Sequence, residues 1–222
     1  MFDLAPTPLD VRLMAFRIPV RVHPSFWLAS IVLCWSPNHP DAMFIWVMCS
    51  FVSVLVHELG HAFTAEAFDW PTEILLYFGG GLAASSRYRN NTPWRSIAVS
   101  IMGPMAGFLM LGLVVGIRFV LIRQDLLTNE YVRYMFTCLI IQNLFYGLFN
   151  LLPVIPLDGG HICLSFCQVI GLRDPAGVAI KFGIIVAGAA AYFFLVHTRQ
   201  QFAGVMMLML CLQNVGFLQS RR

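Results

Sequence analysis

The chain has 222 residues, 59% of them hydrophobic and 11% charged, with a mean hydropathy of +0.75 and a formal net charge of +3. Soluble domains average ~45–50% apolar and ~25% charged, so this balance excludes a disordered or collagen-like chain. An ordinary soluble domain is excluded too, because so little polar surface could not cover so much apolar surface. The 14 Lys+Arg and 11 Asp+Glu are thinly spread without a basic run, which gives no support to nucleic-acid binding. What remains is an all-α polytopic membrane protein of about six transmembrane helices with a short membrane-associated β segment.

In chain order, residues 1–24 lack the compact pattern of a cleavable signal peptide. Their alternating stretch AFRIPVRVH predicts a short strand or extended segment at the interface. The apolar run 25–35 is about half a usual span, and the Pro/Asn-rich turn 36–41 follows it. A full span is predicted over 42–68. The segment 72–94 opens with β-favouring residues and holds Gly79, Gly80 and Gly81, which predicts a strand or hairpin against the helices. Further spans are predicted over 95–122, 131–152, 179–196 and 202–218, with the Pro/Gly stretch 151–161 breaking the fourth. The whole reads as a single membrane-embedded domain over 1–222. Its core covers about 42–165, and its peripheral helices cover about 25–35, 179–196 and 202–218.

With six spans and a cytoplasmic N-terminus, the inside holds Arg12, Arg17, Arg21, Arg87, Arg89, Arg95, Arg173, Lys181, Arg221 and Arg222. The outside holds Arg118, Arg123, Arg133 and Arg199. Ten against four predicts both termini in the cytoplasm of a multi-pass cell-membrane protein. The cysteines Cys34, Cys49, Cys138, Cys163, Cys167 and Cys211 form no CxxC pair and read as small buried hydrophobes. Cys163 and Cys167, which follow His161, are a minor metal-site alternative.

Chemistry concentrates in His57-Glu58-Leu59-Gly60-His61, an HExxH. On a helix, positions i and i+4 share a face, so both imidazoles can hold one Zn²⁺ while Glu58 reaches the attacking water. Ionisable groups in an apolar helix are costly unless paired or metal-bound, and a hydrogen-bonded polar patch is the bland alternative. A catalytic zinc needs a third protein ligand. Asp158 is the candidate, held off helical geometry by two prolines and two glycines in NLLPVIPLDGG (150–160). Taken alone, Asp-Gly-Gly is most often a turn. The six-span topology nevertheless brings HExxH and Asp158 to the same side of the membrane.

HELGHAFTA followed by FNLLPVIPLDGGHI resembles the site-2 protease family of intramembrane zinc metalloproteases. IPVRVHPSFWL (18–28) and ILLYFGGGLA (74–83) are similar to that family's N-terminal stretch and glycine-bearing membrane strand. The resemblance covers roughly residues 15–165 and describes a compact form without PDZ or CBS modules. It implies that His57, His61 and Asp158 bind one Zn²⁺ per chain and that Glu58 is the general base. Asn150 then lies near the site, where its amide could bond the substrate backbone or the oxyanion; a capping or packing amide is the alternative. Asn143 reads as an interhelical polar contact. Gly103-Pro104 resembles a feature of the family's third helix, and close packing with a kink is the favoured reading. His161 and Glu66 are weaker candidates for roles near the metal, and His23, His39 and His197 read as structural or loop residues.

The function this implies is hydrolysis of peptide bonds within or near transmembrane segments of single-span membrane proteins. A membrane partner or an upstream protease would select or prepare the substrate. A catalytically silent membrane adaptor or chaperone on the same fold is the alternative. Other HExxH membrane proteases usually take Glu or His as third ligand, which the LDGG motif disfavours. A transporter would show paired broken helices in two related halves, and one such break is evident.

Overall fold

A computed structural model describes residues 5–85, 90–198 and 200–221. Arg87, Arg89, Arg199 and Arg222, used in the charge reading above, and the stretch 86–89 of the predicted strand segment lie outside the described residues. The element order is β1 (Val11–Ala15), β2 (Ile18–Val22), α1 (Pro24–Leu33), α2 (Pro40–Glu66), β3 (Thr72–Tyr77), β4 (Gly80–Ser85), α3 (Pro93–Arg123) and α4 (Glu130–Asn150). Then follow α5 (Asp158–Val169), α6 (Pro175–Tyr192) continued by a π-helical turn (Phe193–His197), and α7 (Gln201–Gln219).

Among the described residues, five helices are long and apolar enough to cross a membrane: α2, α3, α4, α6 with its π-turn, and α7. α1 has 10 residues. At 1.5 Å per residue it reaches about 15 Å, half the hydrocarbon thickness. The expected six spans therefore divide into five of spanning length and one short apolar helix. Large apolar side chains such as Leu109, Leu113 and Phe119 stand exposed along α3, as befits a helix whose solvent is lipid.

The expected β segment is larger than the sequence reading made it. Four strands form one mixed sheet in the order β1-β2-β3-β4. β1–β2 and β3–β4 are antiparallel and β2–β3 is parallel. The class is thus mostly helical with a small sheet, the expected helical membrane fold with a more extensive β part. The parallel pair follows from connectivity: β2 and β3 are joined across α1 and α2, and parallel neighbours need such a crossover. A period-2 pattern buries Ile18, Val20 and Val22 of β2. With Ile74 and Leu76 of β3, Phe26 of α1, and Val54 and Ala62 of α2 they form one apolar cluster.

The chain divides into two compact units, Met1–Tyr88 with Met102–Gly147, and Arg89–Ile101 with Leu148–Arg222. In the first, the sheet packs on α2 and α1. His23, N-cap of α1, accepts from Ser25 N, and its Nδ1 lies 2.7 Å from Ser25 Oγ, which in turn accepts from the Phe78 N–H at 3.1 Å. This clips the start of α1 to the β3–β4 turn. In the second unit, α5, α6 and α7 pack in sequence. α5 was not anticipated. It is too short and too polar for a span, and hydropathy passes over it.

Candidate metal centre

α2 carries the HExxH within a 27-residue helix. His57 and His61 stand one turn apart on one face, with their Nε2 atoms separated by 3.1 Å and their rings at 79°. His57, Glu58 and His61 are 2%, 3% and 7% exposed. They are the one group of three among the described residues whose possible ligand atoms lie within 4.8 Å of one another. The periodicity of an α-helix is enough to create this face. What makes it unusual is its burial in an apolar span, where three ionisable groups need engaged partners.

Three glycines make room for it. A Cβ on Gly60 would overlap the Met102 carbonyl and stand 2.8 Å from Ala106 Cβ, so α2 and α3 approach backbone to backbone there. A Cβ on Gly103 would overlap the His61 ring at Nε2, and one on Gly81 would overlap the Glu58 carboxyl arm. β4 therefore passes directly over Glu58. Tyr146 of α4 adds a phenol ring edge-on to His57, centroids 4.7 Å apart at 71°. Its hydroxyl lies 2.9 Å from where a Cβ on Gly80 would stand, and Gly80 has φ +112°, a conformation suited to glycine. Tyr77 lines the same region. Burial first, and the Glu58 carboxylate second, raise its hydroxyl pKa.

Sequence reasoning missed Tyr146 and Gly81 as parts of this site. The GGG run was part of a predicted strand or hairpin without an assigned role at the site, and Tyr146 had one available signal, its place between Asn143 and Asn150 on α4. Gly103-Pro104, read as packing, does pack: Gly103 meets His61 and Pro104 is fully buried. Asn143 is buried and donates from Nδ2 to Ser53 Oγ at 2.9 Å, the expected contact between α4 and α2.

The donor set fits zinc. Two imidazole nitrogens on a tetrahedral Zn²⁺ at 2.0–2.1 Å stand about 3.3 Å apart, close to the 3.1 Å found here. The space beside His61 Nε2 exists because residue 103 has no side chain. A carboxylate adjacent in sequence to the first histidine completes the pattern of a zinc site with its general base.

The structure brings His57, Glu58 and His61 together in the first unit. Asp158 begins α5 and Asn150 ends α4, both half-buried and both in the second unit. The loop between them has tight local causes. A Cβ on Gly159 would overlap the Leu151 carbonyl, and one on Gly160 would crowd Ile155 N and Val154. LDGG is thus a packing requirement of the 151–157 loop as well as a mount for Asp158. His161 follows on α5, and Glu66 is exposed at the end of α2. His39 is the N-cap of α2, and His197 ends the π-turn. Cys163 and Cys167 are free thiols of α5, half-buried and buried.

A buried HExxH on a membrane-crossing helix, roofed by a small sheet, defines a multi-pass membrane protein of the zinc metallopeptidase class. Comparison with known proteins agrees. The model of Peptidase family M50 matches residues 44–128 and 111–195, more than half the chain, and the chain belongs to that family, the site-2 protease family. A Synechocystis protein named as a zinc metalloprotease is 33% identical over 74% of this chain and 46% of its own length. A zinc metalloprotease of Methanocaldococcus jannaschii is 32% identical over 65% and 41%. Stage IV sporulation protein FB of Bacillus subtilis is 30% identical over 65% and 46%. The chain matches less than half the length of each of these curated relatives. The solved structure of the site-2 protease from Methanocaldococcus jannaschii has the same fold, with a TM-score of 0.64 and 24% identity over 94% of this chain and 95% of that one.

Proposed function

We propose that this chain is an intramembrane zinc metalloprotease that hydrolyses peptide bonds within or near transmembrane segments of single-span membrane proteins. One observation carries the reading: the buried Glu58, set beside two facing imidazoles on a spanning helix, with strand β4 laid directly against it. In this reading His57, His61 and Asp158 hold one Zn²⁺, Asp158 being assigned by the family pattern. Zinc, when bound, supplies Lewis-acid polarisation of the scissile carbonyl and acidifies water.

The chain's own residues do the rest. Glu58 takes the proton of the attacking water and delivers it to the leaving amine. The amide of Asn150 donates to the carbonyl oxygen as negative charge develops there. A transmembrane substrate keeps its amides bonded within its helix, so it must unwind to be cut. β4 ends the sheet order, and the extended substrate adds to it as a further strand. That addition sets the scissile bond against Glu58, because Gly81 leaves no side chain between. The chain works as one protease domain in the cell membrane, with α1 as a short sixth apolar element and both termini cytoplasmic. A membrane partner or an upstream protease selects or trims the substrate.

The test is cleavage of a single-span reporter by detergent-purified protein, wild type and Glu58→Gln side by side, with zinc counted in both. We expect about one zinc in each and a rate loss of at least ~10²–10⁴-fold in the variant. Zinc in neither protein would overturn the ligand assignment and favour a silent adaptor on the same fold.

A further inference from the structure

The loop 151–157 lies between Asn150 and Asp158, and little holds it from within. Its backbone bonds are short-range: Val154 N to Leu152 O at 2.7 Å, Leu157 N to Val154 O at 2.8 Å and Gly160 N to Leu157 O at 2.9 Å. Two prolines, Pro153 and Pro156, have no N–H to contribute. Among the described residues, a bond reaches the loop from far along the chain. Asn214, in the C-terminal half of α7, donates from Nδ2 to the Ile155 carbonyl at 2.6 Å across 59 residues. The same nitrogen donates to Leu210 O at 2.8 Å, which fixes the side chain against its own helix.

Asn214 is fully buried, with 0% exposure. α6 makes room for it. A Cβ on Gly183 would stand 3.2 Å from Asn214 Oδ1, 3.2 Å from Pro153 O and 3.3 Å from Val154 Cα. A residue with a side chain there would push on the amide and the loop together. A polar amide buried in an apolar helix is costly unless bonded. If its role were only to join α6 and α7, its donor would go to α6. It goes instead to the loop, three residues before Asp158.

We propose that Asn214 is a positioning residue: it clamps the Ile155 carbonyl from the last helix and so sets the orientation of the Asp158 carboxylate. The inference rests on the assignment of Asp158 as a zinc ligand. It places a determinant of the site beyond the family match, which ends at residue 195. Groups that orient a metal ligand characteristically change metal affinity by 10–100-fold when removed, and that is the effect assigned to Asn214. It acts through the loop and touches no substrate.

The experiment measures zinc affinity by chelator competition, together with thermal midpoint, on full-length protein in detergent. The chains are wild type, Asp158→Ala, Asn214→Leu and Arg221→Gln. Asn214→Leu keeps the volume and removes the donor. Arg221→Gln breaks the exposed Arg221–Asp174 pair, 2.7 Å, near the end of the same helix, and serves as the control. If Asn214→Leu is not recovered monodisperse, Asn214→Ser takes its place.

The expected result is zinc binding weakened 10–100-fold in the Asn214 variant and unchanged in Arg221→Gln. Asp158→Ala should be weakened at least as far as the Asn214 variant. A lowered thermal midpoint with unchanged zinc affinity in the Asn214 variant, while Asp158→Ala loses zinc, would overturn the clamp and leave the ligand assignment standing. Unchanged zinc affinity in Asp158→Ala would overturn the ligand assignment, and the clamp with it.

Discussion

His57 is the residue on which the site turns, because it meets partners on two sides. His61 faces it through Nε2, and Tyr146 packs a ring edge against it. An aromatic contact of this geometry contributes about 0.5–1.5 kcal/mol beyond its area. Tyr146→Ala should therefore weaken zinc binding by up to about tenfold through a looser His57, while Tyr146→Phe, which keeps the ring, should bind zinc as wild type does. Equal zinc affinities in the two variants would remove Tyr146 from the site. HExxH was legible because one helical face needs only local spacing. Tyr146 was not, since its place between Asn143 and Asn150 on α4 does not say which side chain of α2 it meets.

At the scale of elements, glycines decide how closely backbones pass the site. Gly103 lets α3 lie against His61, and Gly81 lets β4 lie against Glu58. Gly103→Leu fills the space at Nε2 and should abolish zinc binding even if the chain folds, as zinc counting on the purified variant would read. Gly81→Val should spare zinc and cut turnover by about 10-fold or more, because it displaces Glu58, the proposed general base. Element ends carry a pH dependence as well. Asp10, just before β1, has its carboxyl pKa lowered first by the Thr7 hydroxyl at 2.6 Å and further by Arg21 at 3.2 Å. A depressed carboxyl contributes stability that is complete above its unfolded value, about 3.9, and is lost as pH falls through the lower folded value. Proteolytic nicking of the β1–β2 hairpin should accelerate below that pH in wild type, and Asp10→Asn should lack this acid-dependent step.

For the whole molecule, the arrangement of spans governs which side of the membrane receives substrate. Among the described residues, five helices have spanning length, and α1 has about half of it. The proposed orientation places both termini in the cytoplasm. Cysteine-accessibility mapping in intact cells and inverted vesicles should label tags at residue 5 and residue 221 from the same, cytoplasmic face. Labelling from opposite faces would mean that α1 does not cross. In that event five spans remain and the charge reading must be redrawn.

Much of this protein follows from local sequence alone. Composition determines a lipid-solvated helical chain. Hydropathy places five spans to within a few residues, and an i, i+4 pattern sets two imidazoles and a carboxylate in one stretch of helix. These properties depend on neighbours within a turn or on sums over a window, so no fold is needed to read them. Tertiary structure alone decided the rest. It joined the two extended stretches expected in 1–24 and 72–94 into one four-stranded sheet by pairing β2 with β3 in parallel. It set β4 over Glu58 and Tyr146 against His57, and it tied Asn214 to the Ile155 carbonyl. The physical reason is common to all of these. Each joins segments far apart in sequence, and a polar or glycine residue in an apolar run has no local signal for the partner that packing will bring to it.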